Sequence, residues 1–590
     1  MIRYLRKTER SRRLVALGLL FEEAENSTHL PPQLRHASEA RHVLAQAQSG
    51  ARDETDRLLL HPQVGGWASY ALRRRGAREA GRADAADAAS GEAGVAAWVD
   101  LGGLFTLAFV AAALAGLSWR TSLPHRDGRV RLFGLGMARF PGLAADALVE
   151  AETVSGRITL RAGGMEVVVP QSPHQDGDGW WGLRHLSVGD DVRLTVALDD
   201  LDPFRDLADP VEPDRLSDAQ VEEWRVLLEG AWDILCRHHR DTAEAMAAGV
   251  VSLAPLPLGD GLETRSASSG ESFGSIMVSP PPDAVTLAVS LVHEFNHIKL
   301  GGLMHLMKLT EDDETARYYA PWRDDPRPVG GHLQGIYAFF AIAAFWLRHR
   351  ETVSGVERRL ADFEYLYART QTCDALEVIR ASGLLTAQGL AFVDGLSAQL
   401  VPWLAETTDP ETEEAVRIVA GHHRTGWRVR HHRLRDGEAA SLARSWVPRD
   451  APYVDPAAPD VGPAPAVRWS RGMLGLVRRS IAQPDTWLED GGGQPRWRES
   501  VSAADIALVR GDAEAAKDLY IEALSRADAP VDAWSGLALA LEALGRKSAA
   551  VALLERPEVV RAVCGELVRA GGSADPEGVA DWIGGAMIPS

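Results

Sequence analysis

Cysteine is nearly missing from this 590-residue chain. Only Cys236, Cys373 and Cys564 occur, far apart and in no ligand spacing. That excludes a disulfide scaffold and a cysteine-based zinc module, and it reads as reduced thiols in a cytoplasmic protein. Positive charge is also in deficit. Lys and Arg number 63 against 82 Asp and Glu, for a net charge of −19. A nucleic-acid binder needs a basic face, so that class is excluded. Arginine supplies nearly all the positive charge and alanine is abundant, a pattern of codon composition rather than function. Long apolar runs are scarce as well. Leu101–Trp119 alone raises a membrane question. It is rich in Ala and Gly and lacks flanking charge asymmetry, so it reads as a buried, closely packed helix and no membrane partner is expected. The N-terminal apolar run is too short for a signal peptide.

A chain of this length carries about two to four domains. The expected class is mainly α with a small β-containing middle (α+β). Residues 1–128 read as helical, with an exposed insert at Arg75–Gly94. From Arg129 the period changes to short runs bounded by Gly, Asp and Pro, so 129–215 reads as β-rich. Its last stretch, Leu198–Asp206, holds Asp199, Asp200 and Asp202. The offsets of a calcium loop are absent, and a solvated turn is expected. Residues 216–446 read as a metal-binding catalytic domain. A helix opens it with Ser217 and Gln220 as a capping box. His422–Leu434, with two His pairs, reads as a solvated or partner-facing helix, because adjacent residues do not face one site. Residues 447–466 read as a Pro/Ala/Asp linker. Residues 467–590 read as small helices, in which Ser502–Leu554 resembles stacked tetratricopeptide-like (TPR-like) hairpins.

The chemistry concentrates at His293-Glu294-Phe295-Asn296-His297, an HExxH pattern. Residues four apart stand one turn apart on one helix face, so His293 and His297 can address one metal ion. The flanks are apolar and free of proline, and Asp283 is a plausible N-cap. FGSIMVS before it reads as a strand, giving strand–turn–helix. Zinc hydrolysis is the default chemistry of this motif, with Glu294 as general base to a metal-bound water. The longer HExxHxxGxxH continuation fails, since Leu300 and Leu303 hold its Gly and His positions. His305 lies about 12 Å further along a straight helix. Glu311 and Glu314 sit in an acidic, exposed run.

His332 is the preferred third ligand. It opens an apolar helix, Gly331–Leu347, after a loop long enough to bring that helix back beside the first. Three protein ligands with open positions suit zinc-water chemistry and equally suit an iron(II) oxygenase. The loop Tyr318–Pro328 carries Arg323 and Arg327. Either guanidinium is a natural bidentate partner for the far carboxylate of a bound 2-oxoacid, unless Asp324, Asp325 or Glu311 takes it. Tyr318, Tyr319 or Ser268 is placed to add a hydrogen bond.

LVHEFNH, YAPWRDDPRP and GGHLQGIYAFFAIAAFW together resemble the HExxH-motif peptide-modification family, the 2-oxoglutarate-dependent HExxH-type peptide β-hydroxylases. HPQVGGWA, LDDLDPFRD, SASSGESFGSI, WRVRHHRL and ADIALVRGD…DAWSGLALAL fit the family's layout. The resemblance implies iron(II)- and 2-oxoglutarate-dependent β-hydroxylation of a side chain in a ribosomally synthesised precursor peptide, with a radical-SAM maturase as a further partner. It carries over His293, Glu294 and His297, and the loop with Arg323 and Arg327. The full expectation is iron(II) on His293, His297 and His332, between the HExxH helix and the His332 helix packed on it. 2-Oxoglutarate is then anchored by Arg323 or Arg327, and Glu294 orients a ligand or water, or ligates iron, rather than acting as base. The alternative is a zinc metallopeptidase with Glu294 as general base.

Overall fold

The computed structural model describes residues 1–28, 30–79, 97–205, 210–257, 264–446, 452, 459–462, 471–488, 501–526 and 528–588. Most of the expected insert at Arg75–Gly94 and most of the expected linker lie outside them. The chain is mainly helical with several small sheets. It divides into two units, Met1–Leu306 and Met307–Ser590. The division falls inside 216–446, the stretch expected to form one catalytic domain.

The first unit opens with helices Ile2–Asn26, Ala37–Gly50, Arg52–Leu59, Pro62–Glu79 and Ala97–Leu114. The last is the apolar run of the sequence, and Leu101–Ala113 is buried throughout. Gly103 makes this packing possible, because a Cβ there would stand 2.3 Å from the Trp67 ring. The helix is shorter than expected. It stops at Leu114 with Gly116 at φ 68°, a left-handed turn that suits glycine, and Trp119 already begins a strand.

An antiparallel meander follows, ordered Trp119–Leu123, Val149–Val154, Arg157–Ala162 and Met165–Val168. A second sheet pairs Gly136–Arg139 with Arg129–Leu132 and Trp180–Gly182. The third sheet matters most. Its order is Ser266–Ala267, Ser275–Val278, Ser252–Pro255, Leu194–Leu198, Arg184–Val188. The three central strands run parallel, and both outer strands are antiparallel to their neighbours. Parallel neighbours need a crossover. Helices Asp218–His238 and Arg240–Gly249 supply one, joining Leu194–Leu198 to Ser252–Pro255. The expected border at 215/216 therefore cuts through one sheet.

The acidic cluster is a correction to the sequence reading. Asp199, Asp200 and Asp202 are buried, not solvated. Gln63 donates to Asp199 at 2.8 Å, Arg215 to Asp200 at 2.9 Å and Arg131 to Asp202 at 3.3 Å. Asp199 also accepts from the backbone N–H of Asp202 at 2.9 Å. These donors replace the lost water. Burial, with Asp202 next, pushes the Asp199 carboxyl up to about 7.

In the second unit, helix Val329–His349 packs on Gly355–Ala381. It is the one described helix long and apolar enough to cross a membrane, and half of its apolar window is buried inside the protein. Helix Pro410–His431 is a second correction. It is a core helix with His422, Trp427, Val429 and His431 buried. Phe363, Val416 and Val419 share one core with Leu537, Val560 and Ile583, so the expected C-terminal region is not separate from the helices before it. Within the expected linker, Asp460–Val461 pairs with His432–Arg433. The chain ends in helix–turn–helix units from Ala503 to Met587. Tyr520 packs directly on Gly536, where any Cβ would collide with the ring.

Candidate metal centre on the HExxH helix

The motif sits on helix Ala284–Met304, as its spacing predicts. Asp283 caps it, accepting from the Thr286 backbone N–H at 2.7 Å. Strand Ser275–Val278 leads into it through the proline turn. The helix packs on Asp218–His238, on Ile2–Asn26 and on the strand face, using Leu287, Leu291, Phe295 and Ile298. Gly249 and Gly302 let this packing close. A Cβ at Gly249 would meet Ile2 and Phe295 at 3.0–3.2 Å, and one at Gly302 would meet Leu5 and Phe273 at 3.3 Å.

His293 and His297 turn their rings together. The ring centres are 4.7 Å apart at 80°, and the two Nε2 atoms are 3.2 Å apart. Two nitrogen ligands at tetrahedral angles on one ion, each about 2.0–2.1 Å from it, stand about 3.3 Å apart. The pair therefore fits a shared divalent cation without rearrangement. It equally fits one N–H···N hydrogen bond. Burial, with His297 second, lowers the His293 pKa to about 3, so this imidazole is neutral and keeps a lone pair for a metal.

Glu294 is buried and held at both oxygens. Ser266 Oγ donates to Oε1 and Ser268 Oγ to Oε2, each at 2.7 Å. Oε1 lies 3.7 Å from His293 Nε2. Burial raises the Glu294 pKa, while His297, Ser266 and Ser268 act against that rise. The sequence reading offered Ser268 as a cosubstrate contact, but here it grips Glu294. Ser266 was missed. Its signal was present in the strand period: residues two apart share a face, so Ser268 implies Ser266 beside it.

The other expected site residues belong to the second unit. His332 is fully buried, with Nε2 3.1 Å from the Ala375 carbonyl oxygen. Its ring stacks near Trp322 at 6.0 Å, and burial lowers its pKa to about 4. Trp322 in turn stacks on Phe339 at 4.4 Å over Gly335. Arg323 and Arg327 both reach Asp325, at 2.7 and 3.4 Å. The Tyr319 hydroxyl meets His423 Nδ1 at 2.8 Å. Among the described residues, no group of three or more His, Cys, Asp and Glu is placed to hold a metal ion. The assembled part of the expected site is thus His293, His297 and Glu294 with its two serines.

No family model matches the sequence, and no curated protein does.

Proposed function

We propose that the protein hydroxylates a side chain of a ribosomally synthesised precursor peptide, using iron(II) and 2-oxoglutarate. One observation carries the choice: Glu294 has both carboxylate oxygens occupied by serine hydroxyls beside a histidine pair at metal-ligand spacing. Each serine donor stabilises the ionised carboxylate and lowers its basicity, while a hydrolytic enzyme needs that carboxylate to take a proton from water. The paired clamp suits a positioning role better than a base. The motif resemblance supports the same reading.

His293 and His297 would hold the iron through their Nε2 atoms, with His332 as the proposed third ligand. Iron(II) with 2-oxoglutarate and dioxygen supplies the oxidising power to hydroxylate an unactivated C–H bond. Arg323 or Arg327 would bind the cosubstrate's far carboxylate, exchanging Asp325 for it. The helical hairpins at the C-terminal end are read as TPR-like and suited to holding a peptide or a partner maturase. The reading puts the protein in the cytoplasm, where such precursors are made.

Anaerobic addition of iron(II) and then 2-oxoglutarate tests this. A weak visible charge-transfer band is expected, absent in His293→Ala and weakened in Arg323→Ala. Tight stoichiometric zinc and no band would contradict it.

A second reading has its own support. Glu294 Oε1 is 3.7 Å from His293 Nε2, and its pKa is raised towards that of a working base. A zinc metallopeptidase would then lose turnover but keep metal in Glu294→Gln.

A further inference from the structure

Among the described residues, strand Ser266–Ala267 is the outer strand of its sheet. Its register is fixed by Ser266 opposite Val278 and Ala267 opposite Met277. The Ser279 N–H donates to the Arg265 carbonyl at 2.8 Å and the Arg265 N–H donates to Ser279 Oγ at 2.9 Å, so Arg265 turns its backbone groups towards Ser279. Residues so turned alternate in an antiparallel ladder. Ala267 therefore faces the sheet with its backbone, while Ser266 and Ser268 turn their N–H and C=O groups outward. Apart from the ladder with Ser275–Val278, no bond to those four groups is seen among the described residues. The side chains of the same two serines point the other way in function, down to Glu294 at 2.7 Å, and Glu294 stands 3.7 Å from His293 Nε2.

We propose that this edge docks the extended backbone of the peptide substrate, which pairs as a further antiparallel or parallel strand on Ser266 and Ser268. The inference rests on the enzyme reading above and names how its substrate is held. Three features select an extended polypeptide. The outward groups repeat every second residue, the spacing that another strand's backbone matches and a small molecule does not. Ser266-Ala267-Ser268-Ser269-Gly270 has only small, uncharged side chains, so a chain can lie close to it. The edge also connects to the histidine pair through a single carboxylate. A strand added about 4.8 Å beyond the serine backbone runs alongside the site. Recognition by main chain leaves the side chains of the substrate to the metal centre.

Hydrogen exchange of the Ser266, Ala267 and Ser268 amides tests the proposal on the full chain loaded anaerobically with iron(II) and 2-oxoglutarate. The probe is a pool of acetylated, amidated octapeptides, with an N-methylated pool as control. At nine-tenths occupancy the Ser266 and Ser268 amides should exchange about tenfold more slowly, with Ala267 unchanged and the N-methylated pool without effect. Equal exchange with and without peptide would overturn the proposal. So would protection that N-methylation does not remove, or protection by 2-oxoglutarate alone. Slowing that grows with protein concentration in the absence of peptide would assign the edge to a second copy of the chain and overturn it too. Protection without a charge-transfer band would keep the docking edge and remove the iron reading. A band without protection would do the reverse.

Discussion

Two sets of histidines in this protein solve opposite problems. On the HExxH helix, His293 and His297 bring their Nε2 atoms to 3.2 Å from one another. In the second unit, histidines face protein groups instead. His423 Nδ1 meets the Tyr319 hydroxyl at 2.8 Å. His431 stands between two backbone carbonyls, of Asp324 at 2.7 Å and Gly462 at 3.1 Å. Buried polar atoms are ordinarily paired with protein or water. The second set obeys that rule by tying loops to helices. The first set brings two ring nitrogens to a spacing that fits one N–H···N hydrogen bond and equally fits a shared cation. Histidine content does not distinguish the two sets, and the partners of the ring nitrogens do.

The largest expected effect breaks the first set. His297→Ala should weaken divalent metal binding by at least about a hundredfold, as read by titration calorimetry, because one of two assembled ligands is gone. His423→Ala should leave metal binding unchanged. It should instead destabilise the fold by about 1 kcal/mol, because the half-buried Tyr319 hydroxyl loses its partner.

Acid should next separate folded and unfolded protonation in the second unit. Burial lowers the His423 pKa to about 3 and the His332 pKa to about 4. The unfolded imidazoles bind protons from about 6.5 downward, so the unfolded state takes up more protons in that window. Stability is then full above pH 6.5, falls as pH drops, and loses the whole contribution below the folded values. The unfolding free energy of the full chain, from urea titrations between pH 7.5 and 5, should fall below about pH 6.5 by up to about 1.4 kcal/mol per pH unit per group, and His423→Gln should flatten that slope.

The serine clamp tests a smaller term. Ser266→Ala with Ser268→Ala leaves a buried carboxylate without its donors and should cost about 1–3 kcal/mol in denaturant unfolding. Adding Glu294→Leu to the same protein should recover part of that loss. Smallest of all, Arg323→Ala removes an exposed ion pair to Asp325 and should change stability by less than about 1 kcal/mol. Its effect should fall on 2-oxoglutarate affinity instead.

Local features were legible in the sequence. The helix at 284–304, its Asp283 cap, the Ser217 capping box with Gln220 and the buried apolar helix at 97–114 all follow from residues within a few positions of each other. Long-range compensation was not legible. Asp199 and Asp202 look like surface residues until Gln63 and Arg131, distant in sequence, arrive as donors. Helix Pro410–His431 looks solvated until Asp324 and Gly462 receive its terminal histidine. The parallel pairing of Leu194–Leu198 with Ser252–Pro255 spans two helices, and no local pattern announces it. At the site, the histidine pair was legible from spacing alone. For Ser266 the sequence carried only the two-residue period it shares with Ser268, and that both reach Glu294 depends on a contact across 26 to 28 residues.

Cobalt(II) loading of the full chain tests the central claim most directly, since a protein-held cobalt ion reports its ligands in visible absorption. The account predicts one equivalent bound, with ligand-field bands that are lost in both His293→Ala and His297→Ala and kept in His423→Ala. Absence of a bound equivalent, or bands that survive both substitutions on the HExxH helix, would contradict it.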